Sequence, residues 1–221
     1  MPANDATKTV FSRQDVSIME TKACYAGFLI LDKLTLKHRL YEGGWSAPVV
    51  REVIRRHPGV GVLLYDPDLD KVLMVEQFRV GCLEDAESPW KLELVAGLID
   101  SDETPEQVAI REALEEAGAR IENLIPVSRY YLSPGSSNES MQIFCARIDG
   151  RKAPGIYGLD SEHEDIRTVL LDRQDAEQAI RDGLIDNAMS IIALQWLSLN
   201  LDNVKAVLQG NIENPGSSSG L

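Results

Sequence analysis

The chain has 221 residues, 44% of them hydrophobic and 26% charged, with 35 acidic against 22 basic side chains and a formal net charge of −13. This is enough chain for a sizeable core, and its composition is that of an ordinary globular protein. The acidic balance, with no long basic run to offset it, argues against a nucleic-acid-binding surface, and no apolar run reaches membrane-spanning length.

Residues 1–14 are polar and expected to fray. Met-Pro-Ala-Asn-Asp at the start has neither the basic nor the apolar part of a signal peptide. Val16 to Arg55 reads as short strands: Val16 to Glu20, Gly27 to Asp32, Leu34 to Tyr41 and, after the turn signal Glu42-Gly43-Gly44, a return from Ser46 to Arg55. Alternation through Leu34, Leu36, His38 and Leu40 predicts one buried face. So small a sheet is expected to pack on the rest of the chain or on a partner subunit.

His57-Pro58 marks a boundary. Gly59 to Tyr65 is a continuous apolar strand, Asp66 to Asp70 a turn, and Lys71 to Gln77 the partner strand. A loop then ends at Ser88-Pro89, and Trp90 to Ala96 alternates as a strand. Further strands are predicted over Ile125 to Leu132, Met141 to Ile148 and Ile166 to Leu171, with helices from Asp172 or Gln174 to Asp182 and from Asn187 to Leu208. Mixed strands with a few helices predict an α+β sandwich with helices on both faces of a mixed sheet. The expected domains are an N-terminal β domain over 1–56, a main domain over 57–209 and a disordered, low-complexity tail over 210–221. Cys24, Cys82 and Cys145 are odd in number and far apart, with no C-x-x-C pair. Reduced thiols in a cytoplasmic setting are expected, rather than a disulfide framework or a zinc site.

The densest chemistry lies between Gly97 and Ala119. Thr104 suits a helix N-cap, Pro105 the first helical position and Gln107 the third position of a capping box; Gly118 suits the C-terminal stop. At about 100° per residue, Glu112, Glu115 and Glu116 share one arc of this helix. Ile110, Leu114 and Ala117 then fall opposite, as the expected buried stripe. Arg111 can pair with Glu115 one turn on but cannot neutralise three carboxylates. A solvated acidic face is the ordinary reading of such a string, yet here it is framed by Gly97, Glu103, Arg111 and Gly118.

That spacing, G-x5-E-x7-R-E-U-x-E-E-x-G-U, resembles the Nudix box, with alanines at 113 and 119 where a larger aliphatic residue is usual. Pro134, fifteen residues past the box, and the late acidic loop Glu162-His163-Glu164-Asp165 resemble the bacterial ADP-ribose pyrophosphatase branch of the Nudix hydrolases. So do Glu76 to Arg79, Pro89 to Gly97, Tyr25 to Phe28, Val50 to Glu52 and Ile185 to Ala188. The resemblance implies a Nudix α/β/α sandwich with a mixed sheet, preceded by a small antiparallel β domain that is exchanged between the subunits of a homodimer.

It also implies Mg²⁺- or Mn²⁺-dependent hydrolysis of ADP-ribose to AMP and ribose 5-phosphate. The alternatives are the same cleavage of another nucleoside diphosphate sugar such as GDP-mannose, or a catalytically silent nucleotide sensor. In matching positions, the Ala96 carbonyl, Glu112, Glu116 and Glu164 hold the cations. Glu162 is the general base, with Glu115 as next candidate and alternate ligand. Arg79 binds phosphate, Phe28 and Arg51 bind adenine from the neighbouring subunit, and Glu139 contacts the ribose side. Glu103 and Arg111 hold the loop and orient the helix carboxylates. Expected partners are a small nucleoside diphosphate sugar and a second copy of the chain, with no nucleic acid and no membrane.

Overall fold

The computed structural model describes residues 8–100, 102–152 and 154–210. Most of the expected frayed start and polar tail, at 1–7 and 211–221, lies outside the described residues. The chain forms two compact units, 1–56 with 133–139, and 57–132 with 140–221. Among the described residues, no helix is long and apolar enough to cross a membrane.

The first unit is an antiparallel sheet of β1 (Val16–Ala26), β2 (Ile30–His38) and β3 (Val49–Arg55), in that order. Three strands replace the four predicted segments, because Asp32-Lys33 does not interrupt β2. The Asp32 carboxylate is buried and bound by the Arg55 guanidinium of β3, so the polar pair stays in the ladder. The turn falls earlier, where the Gly27 N–H donates to the Leu29 carbonyl at 3.0 Å. Residues 133–139 join this unit through the end of β3. The Ile54 N–H donates to Ser136 O (2.8 Å), the Asn138 N–H donates to Ile54 O (3.2 Å), and the Asn138 amide bonds both backbone groups of Arg56 (2.7 and 3.1 Å).

The second unit is built on a mixed sheet. Its strands are β4 (Gly59–Asp66), β5 (Lys71–Phe78), β6 (Trp90–Glu93), β7 (Val95–Leu98), β8 (Ile125–Tyr131), β9 (Ser140–Arg147), β10 (Ile156–Tyr157) and β11 (Ile166–Asp172). The order is β10-β11-β5-β4-β9-β8, with β6 paired to β5 and β7 to β4; only the β4–β9 pair is parallel among the described pairs. Every residue of β4 is buried, as a central strand covered on both faces requires.

One face carries α1 (Pro105–Ala117), whose Val108, Ala109, Ala113 and Ala117 pack on Val60, Val62, Val75, Val95 and Phe144. The other carries α2 (Arg173–Arg181), α3 (Ala188–Leu199) and α4 (Leu201–Leu208), with Leu63, Met74, Ile143 and Cys145 meeting Ala176, Leu194, Leu197 and Val204.

Three local expectations change. The strand predicted over Trp90 to Ala96 divides at Leu94, whose N–H leaves the ladder for the Ser190 hydroxyl at 3.2 Å, and the chain passes from β5 to β4 as neighbour. The last helix breaks at Asn200, whose side-chain amide donates to the Trp196 carbonyl at 2.8 Å in competition with the backbone. The buried stripe of α1 is also displaced. Ile110 and Leu114 are exposed, while Glu116 lies on the buried arc beside Ala109 and Ala113.

At the turn between β4 and β5, the Tyr65 hydroxyl (2.6 Å) and Arg173 Nε (3.1 Å) donate to Asp70, with Lys205 Nζ 3.2 Å from the same carboxylate. Burial alone would raise the Asp70 pKa, but the bonds from Arg173, Tyr65 and Lys205 outweigh it and hold it at about 2. Arg173→Met is expected to lower stability by about 2 kcal/mol at neutral pH, read from the denaturant midpoint. Because the Asp70 pKa is depressed, its contribution is present above its ordinary value of 3.8 and lost as pH falls toward 2. The difference between wild type and variant should therefore shrink in acid. A difference that stays constant with pH would contradict this account.

Candidate active site

The loop and helix at Gly97–Gly118 form by local chemistry. Thr104 Oγ1 accepts the Gln107 N–H at 3.3 Å, and Gln107 Oε1 accepts the Thr104 N–H at 2.8 Å, so the capping box closes behind Pro105 as the sequence predicts. Gly118 ends α1 in the left-handed region, with φ +59°. A β-carbon there would also stand 2.5 Å from the Tyr157 ring. Gly97 is required for a different reason, because a β-carbon on it would overlap the Glu112 carboxylate. Glycine thus lets the helix carboxylate lie directly against the backbone of β7.

Glu112 and Glu116 are one turn apart on the side of α1 that faces this strand. Glu116 is only 2% exposed, and its carboxylate accepts the Ala96 N–H at 2.9 Å. Burial is the main cause that pushes its pKa up to about 8; the bond from Ala96 and the charge of Arg79 oppose the shift, and Glu112 and Glu164 reinforce it. Burial likewise pushes Glu112 up to about 7 against the pull of Arg111. Buried Glu116 and half-buried Glu112 repel each other here, relieved by the Ala96 N–H on the first and the Arg111 guanidinium on the second.

Arg111 gathers the outer carboxylates. Its Nε is 3.2 Å from Glu103, and its Nη1 is 2.9 Å from Glu112 and 2.8 Å from Glu115. Arg79 donates from Nε to Glu93 at 2.7 Å. Glu164 accepts the Leu159 N–H at 3.2 Å and lies close enough to Glu112 and Glu116 for its charge to be felt by both. Glu162 is exposed on the short turn Asp160–Glu162, just before His163, which adopts φ +56°. The segment carrying both is fastened to α1 by the Gly158 N–H, which donates to the Glu115 carbonyl at 3.3 Å, and by Tyr157 over Gly118.

The structure therefore sets Glu116 against Ala96 with Glu112 one turn away, places Glu164 and Arg79 within electrostatic reach, and links Glu103, Arg111 and Glu115 along the outer side. Phe28, Arg51 and Glu139 belong to the first unit. Phe28 is 85% exposed, and the Arg56 guanidinium stands 5.7 Å from its ring centroid and 3.5 Å from Glu139. Arg51 is exposed and bonds the Val50 carbonyl at 2.8 Å. Sequence reasoning missed Glu93, Tyr157 and Arg56. Glu93 has a signal, an acidic side chain in the alternating strand that leads into Gly97. The other two act through partners distant in sequence.

The donor set fits a hard divalent cation: every group is an oxygen, and buried Glu116 has a backbone N–H but no bonded cationic side chain. Among the described residues, no three His, Cys, Asp or Glu side chains are already gathered around one point.

Comparison with known proteins places this site in a family. Residues 55–188 match the NUDIX domain. Over 193 residues, 86% of this chain and 89% of the relative, the sequence is 42% identical to an ADP-ribose pyrophosphatase of Haemophilus influenzae. Over 201 residues, 91% of this chain and 96% of the relative, it is 41% identical to an ADP-ribose pyrophosphatase of Escherichia coli K12. A GDP-mannose pyrophosphatase of Cronobacter sakazakii is 35% identical over 150 residues, 67% of this chain and 78% of that one. In three dimensions, the crystal structure of an ADP compounds hydrolase superposes with a TM-score of 0.68 at 20% identity, covering 91% of this chain and all of the other, and so shares the fold. The chain belongs to the Nudix hydrolase family.

Glu112 and Glu116 both titrate above the ordinary 4.5, so the metal-free folded chain binds more protons than the unfolded chain between about pH 4.5 and pH 8. Metal-free stability should fall as pH rises through that window. Mg²⁺ should raise the thermal midpoint more at about pH 8 than at about pH 5.5, because it binds the ionised carboxylates. Equal stabilisation at both values would contradict the assignment of these groups to a cation site.

Proposed function

We propose that this chain hydrolyses the pyrophosphate bond of ADP-ribose, giving AMP and ribose 5-phosphate, and requires Mg²⁺ or Mn²⁺. The observation that carries the reading is buried Glu116 with half-buried Glu112, set against β7 within the electrostatic reach of Arg79 and Glu164. It occurs in a chain that is 41–42% identical, over most of both lengths, to proteins named ADP-ribose pyrophosphatases.

A bound divalent cation supplies charge neutralisation of the diphosphate and a lowered pKa for the attacking water. Glu112, Glu116, Glu164 and the Ala96 carbonyl are the residues that would hold it. Glu162 takes the proton of the attacking water, as an exposed carboxylate on a turn tied to α1. Arg79 stabilises charge on the phosphoryl oxygens, oriented by its bond to Glu93. The water oxygen bonds to one phosphorus, the bridging P–O bond breaks, and the departing phosphate oxygen leaves as an anion or takes a proton from solvent. Arg111 and Glu103 fix the helix carboxylates from outside, and Glu115, engaged by Arg111, is an alternate cation ligand and the next candidate for the base.

For the adenosine end the reading is a homodimer with exchanged N-terminal strands. Phe28 stacks on adenine, Arg51 lies beside it and Glu139 contacts the ribose side. The exposure of Phe28, Tyr25, Ile30 and Val50 in the first unit supports a covered surface there, and Arg56 links Phe28 to Glu139. Three free cysteines, one buried with its thiol pushed up to about 12 by desolvation, support a reducing, cytoplasmic setting.

A specific observation favours one second reading. Relatives named GDP-mannose pyrophosphatases are 32–35% identical, so the same chemistry on GDP-mannose is the alternative. Release of nucleoside monophosphate from ADP-ribose, GDP-mannose and NADH, with Mg²⁺ and with chelator, separates these readings. The expected result is metal-dependent AMP release with ADP-ribose preferred. ADP-ribose binding without turnover would instead identify a sensor. Glu116→Gln should reduce turnover by about 100-fold or more with the fold intact, and Glu162→Gln should depress turnover far more than Mg²⁺ binding. Wild-type turnover in either variant removes that residue from the mechanism.

A further inference from the structure

One buried side-chain atom among the described residues lacks a hydrogen-bond partner, Nε2 of Gln77. The residue is 6% exposed, in β5. A primary amide carries two N–H donors, and leaving them buried and unpaired is unfavourable enough that folded proteins seldom do so without a functional reason.

Its place in the sheet says which face it serves. Leu73 and Val75 of β5 lie in the cluster under α1, and strand alternation puts Gln77 on that face next. On one side Arg167 of β11 pairs with Glu76, so Ile166, also in the α1 cluster, falls beside Gln77. On the other side Gln77 pairs with Lys91, and Val75 pairs with Glu93 of β6. Gln77 therefore sits on the carboxylate face of the sheet. It is flanked by the strand into which the Glu162–Glu164 segment runs and by the strand that carries the partner of Arg79.

The neighbouring groups do not satisfy it. Glu93 is bonded to Arg79 (2.7 Å) and Glu76 to Arg167 (2.9 Å), while Lys91 is itself a donor, taken by Asp85 (2.6 Å) and Asp186 (2.7 Å). An amide donor adds no charge and suits an anionic oxygen, and it lies two residues from Arg79, whose charge reaches Glu116.

We propose that Gln77 is a substrate-binding residue whose Nε2 donates a hydrogen bond to a phosphoryl oxygen of the bound diphosphate, alongside Arg79. The inference rests on the pyrophosphohydrolase reading above and adds to it a neutral donor for the diphosphate. The amide is shielded from water in the ligand-free chain.

The test is Gln77→Leu, with Gln77→Met as the second variant of similar length. Both remove the donors and keep the volume close to that of the amide. The ligand-free Tm should stay level or rise, since a buried unpaired donor has been removed. KM for ADP-ribose should rise on the order of 10- to 100-fold while kcat stays within about threefold, because the contact is made to ground state and transition state alike. A lower ligand-free Tm in both variants, or a KM within about twofold of wild type, overturns the proposal and makes Gln77 a structural amide. No wild-type turnover of ADP-ribose would count against the substrate reading alone. The same KM comparison then uses whichever nucleoside diphosphate sugar the wild type cleaves.

Discussion

The second unit is organised by two carboxylates set between a helix and a sheet, Glu116 buried and Glu112 half-buried. An amphipathic helix on a sheet normally presents only apolar side chains to it, yet Glu116 occupies the buried arc of α1 with a pKa raised to about 8. A shift of that size corresponds to about 5 kcal/mol held against the ionised form. This is comparable to the whole stability of many domains, about 5–15 kcal/mol. One backbone donor from Ala96 and the field of Arg79 do not cancel it. Such an arrangement is unfavourable for an isolated fold and favourable for one completed by a divalent cation.

The surrounding structure serves that constraint. Ala109, Ala113 and Ala117 bring α1 close to the sheet, and Gly97 removes the β-carbon that would keep Glu112 away from β7. The split at Leu94 turns the chain from β5 to β4, so Glu93 stays near Arg79 while Ala96 reaches Glu116. Gly118 ends the helix and admits Tyr157, which fastens the segment bearing Glu162 and Glu164. Arg111 holds Glu103, Glu112 and Glu115 from the outer side, so buried Glu116 is the carboxylate left without a bonded guanidinium.

Much of this was legible in the sequence, for identifiable reasons. The capping box, the closing glycine and the spacing of Glu103, Arg111, Glu112, Glu115 and Glu116 are local features, and local features survive folding. Periodicity alone puts the buried stripe of α1 in the wrong place, because a carboxylate ordinarily faces water. At Glu116 burial and function coincide, which reverses the usual polarity rule. Asp32 misled in the same way, since its buried pairing with Arg55 keeps a polar dipeptide inside β2. The bonds that attach residues 133–139 to Ile54 and Arg56 join segments distant in sequence, and no periodicity encodes them. Gln77 lies in an apolar strand run, and its unpaired donor is visible only once its neighbours and their partners are in place.

The central claim is that Glu112 and Glu116 form a cation site that folding alone leaves short of positive charge. The direct measurement is calorimetric titration of Mg²⁺ into the metal-free protein at about pH 7, in two buffers of different protonation enthalpy. The account predicts saturable binding with net proton release, since both carboxyls are partly protonated at that pH and must ionise to ligate. In Glu116→Gln, both the binding and most of the proton release should be lost. Proton-neutral binding, or unchanged binding in that variant, would contradict it.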